Sequence, residues 1–303
     1  MQNPRETSSA PVGRLMKIAV LTMDIEDWYH LDYFDRRECN LSYSLLDGLD
    51  VYASFLSDRG LQSTFFALGE LAETLGGQLK GLAKAGHEIS SHGWDHKRPL
   101  GMTSDEFRFD LLQSRAALES VTGQRVAGYR APCFSMDRSR LDQVEEAGFD
   151  YDSSRIEFGQ HPLYGTIDMA GYDSPASFVF QQRRFIEFEV STLPLLGRRL
   201  PVSGGGYLRL IPWPIMRTAV GRFLDFESLY VIYLHPFELS AKDCPLVPSS
   251  TSRLTRFRFA HGREYVLSRL GQLVDLLSER GYSFTTFGAL HSDLVGRPLE
   301  TPL

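Results

Sequence analysis

Two histidines, His92 and His96, stand four residues apart in the stretch SHGWDH. If this stretch forms one helical turn, both imidazoles point the same way, at a separation that suits a single metal ion. An isolated pair of this kind is more often two surface histidines with unrelated partners. Other potential metal-binding side chains in the sequence are therefore needed to distinguish a metal site from a surface pair.

Three carboxylates, Asp24, Glu26 and Asp27, occur within four positions directly after the apolar stretch KIAVLTM. Carboxylates this close together repel one another unless a cation lies between them. Two histidines and one carboxylate would leave a tetrahedral zinc ion with one open position for water, as hydrolytic zinc sites require. The cluster can instead be the N-terminal cap of a helix with acids in its first turn, and the sequence leaves both interpretations open.

An arginine and a third histidine follow two other apolar stretches, Arg130 in GYRAPCF and His235 in YLHPFEL. In a carboxylate-rich cleft Arg130 would keep an acid ionised and oriented, whereas elsewhere it would be a surface ion-pair residue. Histidine titrates near neutrality, so His235 can hand a proton to a leaving amine. The alternative for His235 is a hydrogen-bonded histidine in the core.

A glycine-rich segment, SGGGYLRLIPWP, occupies residues 203–214. Consecutive glycines adopt positive φ without steric cost, which is typical of a flexible loop or hairpin. The other interpretation is a backbone surface that a ligand approaches closely, with Tyr207 and Trp213 as stacking faces for a sugar. We favour the second interpretation. The sequence contains no Walker loop, dinucleotide fingerprint or GxSxG elbow.

The elements that must position these residues alternate between strand and helix. Apolar runs predict strands at 17–23, 62–68, 87–90, 125–130, 149–151, 184–190 and 229–235. Helical spacing predicts helices at 44–59, 70–85, 104–121, 137–147 and 264–280. Repeated βα units imply a mainly parallel sheet, and about seven or eight of them suit a (β/α) barrel. A doubly wound open sheet is the alternative.

The barrel would bring the four polar stretches together, because each of them follows a predicted strand and functional side chains sit at the carboxyl ends of barrel strands. Residues 157–228 are poor in helix signal and rich in glycine, proline and aromatic residues, so we interpret them as a long insertion. The predicted organisation is a disordered tail at 1–15, one catalytic domain at 16–290 that includes the insertion, and a C-terminal tail at 291–303.

The composition is that of a folded globular protein, with 43% apolar, 12% aromatic and 23% charged residues among 303. A net charge of −6 without long runs of one sign argues against nucleic acid as partner. Three widely spaced cysteines indicate reduced thiols. No apolar run is long enough for a transmembrane segment or a secretory signal, so we expect a cytoplasmic protein and leave peripheral membrane contact open.

Taken together, the four stretches resemble the NodB-type polysaccharide deacetylases, carbohydrate esterase family 4. TMDIED resembles the first motif of that family, SHGWDH its histidine motif, YRAPCF its arginine and proline motif, and YLHP its late leucine and histidine motif. The four motifs occur in the family's order. The stretches DIEDWYH, GGGYLRLIPWP and HPFEL are similar to the branch that accompanies exopolysaccharide and O-antigen gene clusters and carries a C-terminal extension.

This resemblance implies a distorted (β/α)7–8 barrel of the polysaccharide deacetylase type that binds one divalent metal ion. The ion would be Zn²⁺, with Co²⁺ or Ni²⁺ as alternatives, and its ligands Glu26, His92 and His96. The usual first motif has two adjacent aspartates, whereas here isoleucine separates Asp24 from the next acids. Asp27 is therefore the alternative to Glu26 as the carboxylate ligand.

The resemblance also implies a role for each remaining polar residue. Asp24 would be the general base with Arg130 as its partner, and hydroxide formed from water would attack the carbonyl of an N-acyl group. A backbone N–H near Cys133 or Phe134 would help the metal to stabilise the oxyanion. His235 would protonate the departing amine.

The predicted function is hydrolysis of a carbon–nitrogen bond other than a peptide bond. The substrate would be an N-acetylated, alternatively N-formylated, amino sugar in the synthesis of a surface polysaccharide such as O-antigen or exopolysaccharide. The substrate-binding residues would be Cys133, Phe134, Tyr207 and Trp213. A small-amide hydrolase similar to allantoinase and a non-catalytic carbohydrate-binding barrel are the alternatives.

Overall fold

The computed structural model describes residues 17–158, 161–195 and 198–296. The tail predicted at 1–15 lies outside these residues, as do residues 297–303 of the tail predicted at the C-terminus. Within the described ranges, none of the helices is both long and apolar enough to cross a membrane.

The described strands and helices alternate through the first half of the chain, as the periodicity predicts. The strands are β1 (Ile18–Ile25), β2 (Thr64–Ala67), β3 (Glu88–Ser91), β4 (Gly128–Tyr129), β5 (Tyr151–Asp152), β6 (Asp173–Ala176), β7 (Val179–Gln182), β8 (Phe185–Phe188), β9 (Thr192–Leu195), β10 (Arg198–Pro201), β11 (Leu229–Leu234) and β12 (Ser283–Thr285). The helices are α1 (Gly48–Arg59), α2 (Gly76–Lys84), α3 (Ser104–Thr122), α4 (Arg138–Glu146), α5 (Gly205–Leu210), α6 (Trp213–Phe226), α7 (Pro236–Leu239), α8 (Arg253–Ala260), α9 (Arg263–Glu279) and α10 (Phe287–Val295).

One curled sheet carries most of these strands, in the order β11-β1-β2-β3-β4-β5-β8-β7-β6. The strands from β11 to β8 in this order run parallel, and β7 and β6 extend the sheet by antiparallel pairing. Strand β12 pairs with the first part of β1, and β2 pairs with its last part. The predicted α/β class with a mainly parallel, barrel-like sheet is confirmed, and the sheet forms a curled half-barrel with β11 and β6 at its ends.

Strand β1 is the centre of the main core. Ala19, Val20 and Leu21 are consecutive and all fully buried, which is typical of a parallel strand that is covered on both faces. Helices α2 and α3 pack on β3, which is separated from β1 by β2 in the sheet. A second, smaller apolar cluster lies under the loop that follows β1, and its buried members are Trp28, Leu31, Phe34, Leu45, Phe237 and Phe259. Trp28 of this cluster directly follows Asp27, so the cluster lies next to the acidic stretch.

The segment 157–228 differs in part from its prediction. It continues the sheet through β6, β7 and β8, but it also contains α6, a helix that the apolar spacing did not predict. Pro212 and Pro214 lie where α6 begins, and proline is tolerated in the first turn of a helix. The helix buries Met216, Val220 and Phe223. The prediction of poor helix content was therefore wrong for 213–226.

Two further boundaries differ from the prediction. The helix predicted at 70–85 is divided into a 3₁₀ turn at Gly69–Leu71 and α2, which begins at Gly76. Helix α10 extends from Phe287 to Val295 and thus crosses the predicted domain boundary at residue 290. The boundaries of the catalytic domain stay a prediction.

Gly128 in β4 is a packing constraint that can be tested. A Cβ at this position would lie 2.0 Å from Cζ of Tyr151. The Tyr151 ring is fully buried and its hydroxyl is hydrogen-bonded to Ser90 and Glu88, so the ring cannot move aside without loss. We expect Gly128→Ala to lower the free energy of unfolding by about 1–3 kcal/mol, the usual cost of overpacking, as measured by denaturant titration.

The matched control is Gly77→Ala. Gly77 lies exposed on α2, and a Cβ there would meet nothing within 4 Å. This substitution should leave the free energy of unfolding unchanged or raise it by about 0.4–1 kcal/mol, because alanine restricts the unfolded chain. Equal stabilities of the two variants would contradict the packing described for β4.

Candidate metal and catalytic site

The polar stretches meet at the carboxyl edge of the parallel sheet. Strands β3, β4 and β11 end one residue before His92, Arg130 and His235, and β1 ends just before Glu26. Because β1 is paired with β11 so that Met23 lies opposite Leu234, the residues that follow the two strands emerge side by side. The candidate site at this edge is therefore assembled from strand ends that are distant in sequence.

Three buried side chains at this edge can hold a metal ion, Glu26, His92 and His96. One ligand atom from each lies within 4.8 Å of the other two. The rings of His92 and His96 have centroids 5.3 Å apart, and Nε2 of His96 lies 2.7 Å from Oε2 of Glu26. These two atoms are close but not aligned as a hydrogen bond, and Glu26 Oε2 has no hydrogen-bond partner among the described residues.

This donor set fits a divalent cation. An unpartnered carboxylate oxygen in the interior is costly, and a metal ion would satisfy it. His92 uses Nδ1 to contact the backbone oxygen of Arg130 at 2.8 Å, which leaves Nε2 free for a metal. Such an outer contact is how proteins orient imidazole ligands. Two nitrogen donors and one carboxylate are typical of a catalytic zinc site with an open position.

The pKa values of the three candidate ligands shift in different directions. Burial alone would lower the pKa of His96, but Glu26 and Asp32 outweigh burial and raise it. Burial alone would raise the pKa of Glu26, but the nearby His96, His235 and His92 outweigh burial and lower the pKa to about 2. Burial lowers the pKa of His92 to about 4. Carboxylate and neutral imidazole are the forms in which these side chains bind metals.

Asp27 has a different task from Glu26. Its Oδ1 accepts hydrogen bonds from the backbone N–H of Trp28 at 2.8 Å and of Leu45 at 2.9 Å. It caps the 3₁₀ helix Trp28–His30, so the helix-cap interpretation of the acidic stretch describes this residue. Asp27 lies outside the group of ligand atoms around Glu26.

The turn that carries the two histidines is not helical, so the predicted helical turn was wrong. Gly93 and His96 have φ of 79° and 66°, in the left-handed region. The backbone N–H of Trp94 donates to Oδ2 of Asp110 on α3 at 3.0 Å, and Gly93 N–H donates to the hydroxyl of Ser91. The imidazoles are brought together by this irregular turn and its contacts with α3, not by helical spacing.

Arg130 and Asp24 form a buried ion pair beside the candidate metal ligands. Arg130 is fully buried, and its Nη1 donates to Oδ1 of Asp24 at 2.8 Å and to the hydroxyl of Thr22 at 2.7 Å. Its Nε donates to the backbone oxygen of Ser153 at 3.0 Å. The alternative of a surface ion pair is therefore excluded for Arg130, and the contact holds one oxygen of Asp24 in a fixed direction.

His235 lies between two carboxylates. Its Nε2 is 3.4 Å from Oε1 of Glu26, and its Nδ1 is 3.4 Å from Oε2 of Glu238. Burial alone would lower the pKa of His235, but Glu238 and Glu26 outweigh burial and raise the pKa to about 9. Nε2 of the ring thus faces Glu26, and Nδ1 faces Glu238.

Glu238 is a site residue that the sequence analysis missed. His235 is the N-cap of α7 and Glu238 occupies position N3, where its Oε2 accepts the backbone N–H of His235 at 3.1 Å. The glutamate half of a capping box is thus present, and the usual signal of a capping box is a capping residue followed three positions later by glutamate. The spacing in HPFE is that signal, with histidine in place of the usual serine or threonine.

Two neighbouring residues, Cys133 and Phe134, adopt positive φ of 53° and 51° after Arg130. The backbone N–H of Phe134 donates to the oxygen of Ala131 at 2.9 Å. Within the part of the chain that the structure describes, the N–H of Cys133 donates to no acceptor. Of the two predicted oxyanion donors, Cys133 is the one whose N–H is available.

An aromatic wall extends from the site along one side. The ring of Phe134 lies 5.0 Å from that of Tyr233 and 5.5 Å from that of Tyr164, and Phe158 links Tyr164 to Tyr207 at centroid distances of 6.2 and 6.1 Å. Tyr207 thus belongs to the wall. Among the described residues no ring contact joins Trp213 to this wall, and Trp213 instead begins α6.

Comparisons with known proteins agree with this site. Residues 48–151 match the family model described as polysaccharide deacetylase, and residues 153–290 match one described as a domain of unknown function, DUF3473. Residues 48–151 are therefore similar to the polysaccharide deacetylase family. The matched segments divide the site, because Asp24 and Glu26 precede the first match and His235 lies in the second.

Two relatives match part of the chain. A peptidoglycan deacetylase from Helicobacter pylori is 33% identical over 104 residues, which are 34% of this chain and 36% of that protein. A peptidoglycan-N-acetylglucosamine deacetylase from Bacillus cereus is 28% identical over 94 residues, 31% of this chain and 34% of that protein. The chain thus matches about a third of the length of each of these relatives.

A solved structure supports the fold over the whole chain. A Mycobacterium smegmatis protein that carries a polysaccharide deacetylase name superposes with a TM-score of 0.61 at 21% identity, covering 99% of both chains. This likeness confirms the predicted barrel of the deacetylase type.

Metal binding is the first property that the site predicts. We expect the chelator-treated protein to take up about one equivalent of Zn²⁺ or Co²⁺ per chain, and His92→Ala to weaken that binding at least about 10-fold, because a ligand is removed. Isothermal titration calorimetry measures both. His261→Ala, which removes an exposed imidazole away from the ligand group, is the control and should bind as the parent protein does. Undiminished binding by His92→Ala would contradict the assigned ligands.

The buried carboxyl group of Asp110 should make the stability of the protein depend on pH. Burial raises its pKa from the ordinary 3.8 to about 7, so the folded state binds this proton more tightly than the unfolded state does. The free energy of unfolding should therefore contain a component that falls as pH rises from about 4 to about 7. Asp110→Asn keeps an acceptor for the Trp94 N–H but does not titrate, so its profile should lack this component.

Denaturant unfolding between pH 4 and pH 8, with chelator present, measures the difference between the two profiles. Asp105→Asn, at an exposed position on the same helix, is the matched control and should retain the profile of the parent protein. Parallel profiles for Asp110→Asn and the parent would show that Asp110 does not contribute.

Proposed function

We propose that this protein is a metal-dependent hydrolase that removes the N-acetyl, alternatively the N-formyl, group from an amino sugar. The observation that carries the proposal is the meeting of three ligand side chains with an oriented carboxylate on one side and a histidine on the other. The ligands are Glu26, His92 and His96, the carboxylate is Asp24, and the histidine is His235. Amide hydrolysis needs each of these groups.

The metal ion is proposed to be Zn²⁺, with Co²⁺ or Ni²⁺ as alternatives. When bound by Glu26, His92 and His96 it supplies Lewis acidity, which makes water more acidic and polarises a carbonyl group. The mixed set of two imidazoles and one carboxylate supports this proposal, because zinc commonly binds such ligands at catalytic sites.

Asp24 is proposed as the general base. Nη1 of Arg130 lies 2.8 Å from its Oδ1, and this buried ion pair keeps the carboxylate correctly directed. Asp24 takes a proton from water, and the oxygen of that water forms a bond to the carbonyl carbon of the N-acyl group. The N–H of Cys133 donates to the resulting oxyanion, an interaction whose loss typically costs about 2.7–4 kcal/mol.

His235 is proposed as the general acid. Its Nδ1 faces Glu238, so the other ring nitrogen, Nε2, is the one directed at the centre of the site. Nε2 gives its proton to the amide nitrogen while the carbon–nitrogen bond breaks, which releases the free amine and a carboxylic acid. Without this proton the amine would have to leave as an anion.

The substrate is proposed to be a saccharide of a surface polysaccharide of the O-antigen or exopolysaccharide type. The names of the relatives from Helicobacter pylori and Bacillus cereus, both peptidoglycan deacetylases, support an acetylated saccharide. The sequence resemblance of the GGGYLRLIPWP segment supports the narrower class. Tyr207 is a partly exposed ring of the aromatic wall on which a sugar ring can stack, whereas Phe134 is 6% exposed and packs in the core. Stacking on Phe134 and Trp213 and the cytoplasmic location stay predictions.

Acetate release from N-acetylated amino sugars tests the proposal. The zinc-loaded protein should release acetate and amine in equal amounts, and Asp24→Asn and His235→Ala should each lower kcat by about 10²–10⁴-fold, the usual contribution of a general base or acid. Asp58→Asn, an exposed substitution on α1, should keep full activity.

Three outcomes would contradict the proposal. Full activity of Asp24→Asn would remove the assigned base. Turnover of small ureides without turnover of any acetylated sugar would favour the small-amide hydrolase. Saccharide binding without turnover under any divalent metal would favour a binding barrel.

A further inference from the structure

We propose that Arg209, in the glycine-rich segment 203–214, is a positioning residue that holds Glu238 and, through it, the general acid His235. This inference rests on the proposed function. It assigns a task to a segment within the region that matches a domain of unknown function. The segment would complete the catalytic site instead of forming only a surface for sugar.

Arg209 is held on several sides. It is 4% exposed, and its Nε donates to Oε1 of Glu238 at 3.3 Å. Its Nη1 donates to the backbone oxygen of His261 at 2.8 Å, and the guanidinium lies over the ring of Phe237 with Cζ 5.7 Å from the centroid. A guanidinium fixed by three neighbours can hold its carboxylate partner in one direction.

The two oxygens of Glu238 have separate partners. Oε1 faces Arg209, whereas Oε2 accepts the backbone N–H of His235 and lies 3.4 Å from its Nδ1. Glu238 is 1% exposed, and a carboxylate this deeply buried is costly unless a cation is near. Arg209 is the cation next to Oε1, and its contact fixes the direction in which Glu238 faces Nδ1 of His235, which leaves Nε2 toward Glu26.

The glycines provide a second and independent observation. A Cβ at Gly205 would lie 1.8 Å from Oε2 of Glu238, and a Cβ at Gly204 would lie 2.8 Å from the ring of Tyr233. Gly204 also has φ of 131°, a conformation that other residues rarely adopt. The backbone of this segment therefore packs directly against the carboxylate that Arg209 holds, and glycine is required for that approach.

Arg209→Gln, compared on two substrates, tests the inference. An N-acetylated amino sugar needs a proton for its leaving amine, whereas 4-nitrophenyl acetate has a leaving group that departs without one. If Arg209 acts through His235, kcat for the acetylated sugar should fall about 10- to 100-fold, as for loss of a supporting contact, while kcat for the ester changes little. Arg209→Lys, which retains the charge, should recover part of the loss.

Arg269→Gln is the matched control. Nη1 of Arg269 donates to the backbone oxygens of Leu208, Arg209 and Ile211, so it supports the same helix without contacting Glu238. It should leave the ratio of the two activities unchanged. Equal losses on both substrates in Arg209→Gln, or no loss on either, would overturn the inference.

A readout without turnover completes the test. In a crystal structure of Arg209→Gln, the Glu238 carboxylate should leave Nδ1 of His235, while the zinc content stays at that of the parent protein. If Glu238 and His235 keep their places, the positioning role is wrong whatever the activities are. Absence of acetate release by the parent protein would instead overturn the proposed function, and the crystal structure would still decide the role of Arg209.

Discussion

The buried carboxylate of Glu26 is the constraint on which the rest of the site depends. It is 1% exposed, and a charge in that position has to be compensated by neighbours or by a cation. Two histidines, His96 and His235, approach its two oxygens at 2.7 and 3.4 Å, and neither contact is aligned as a hydrogen bond. A third, His92, lies beside them. The candidate ligands among these imidazoles are His92 and His96, and a divalent ion held by them and Glu26 would compensate the carboxylate.

The sheet explains how such distant residues share one point. Strands β1 and β11 are separated by about two hundred residues of chain, yet they are direct parallel neighbours, so Glu26 and His235 leave adjacent strands at the same edge. The match to the deacetylase model covers β2 to β5, while the acids of β1 lie before it and His235 lies after it. The later segment is therefore an integral part of the same sheet, and its β8 pairs directly with β5. The proposed catalytic site therefore draws residues from both halves of the chain.

Several local features differ from what residue spacing predicts, and each has a tertiary cause. The SHGWDH turn is irregular because its backbone amides bond to Ser91 and to Asp110 on α3, which replaces helical hydrogen bonding. The glycines at 204 and 205 were interpreted as a surface for sugar, whereas their Cα atoms face Tyr233 and Glu238. Glu238 was not predicted as a site residue because the N-cap residue that it contacts is a histidine, not a serine or threonine. In each case a specific side-chain contact, not residue spacing, decided the local structure.

The sequence by itself determined the fold class and the set of chemically competent residues. Alternating periodicity predicted the parallel sheet, and the placement of Glu26, His92 and Arg130 after apolar runs predicted where polar groups would converge. It could not choose between Glu26 and Asp27, because both are acids at the end of one strand. In the tertiary structure Oδ1 of Asp27 accepts the backbone N–H groups of Trp28 and Leu45, whereas the carboxylate of Glu26 lies with His92 and His96. The tertiary structure alone also reveals the contact of Arg209 with Glu238, because a pairing across 29 residues depends on how α5 and α7 pack and leaves no periodic signal in the chain.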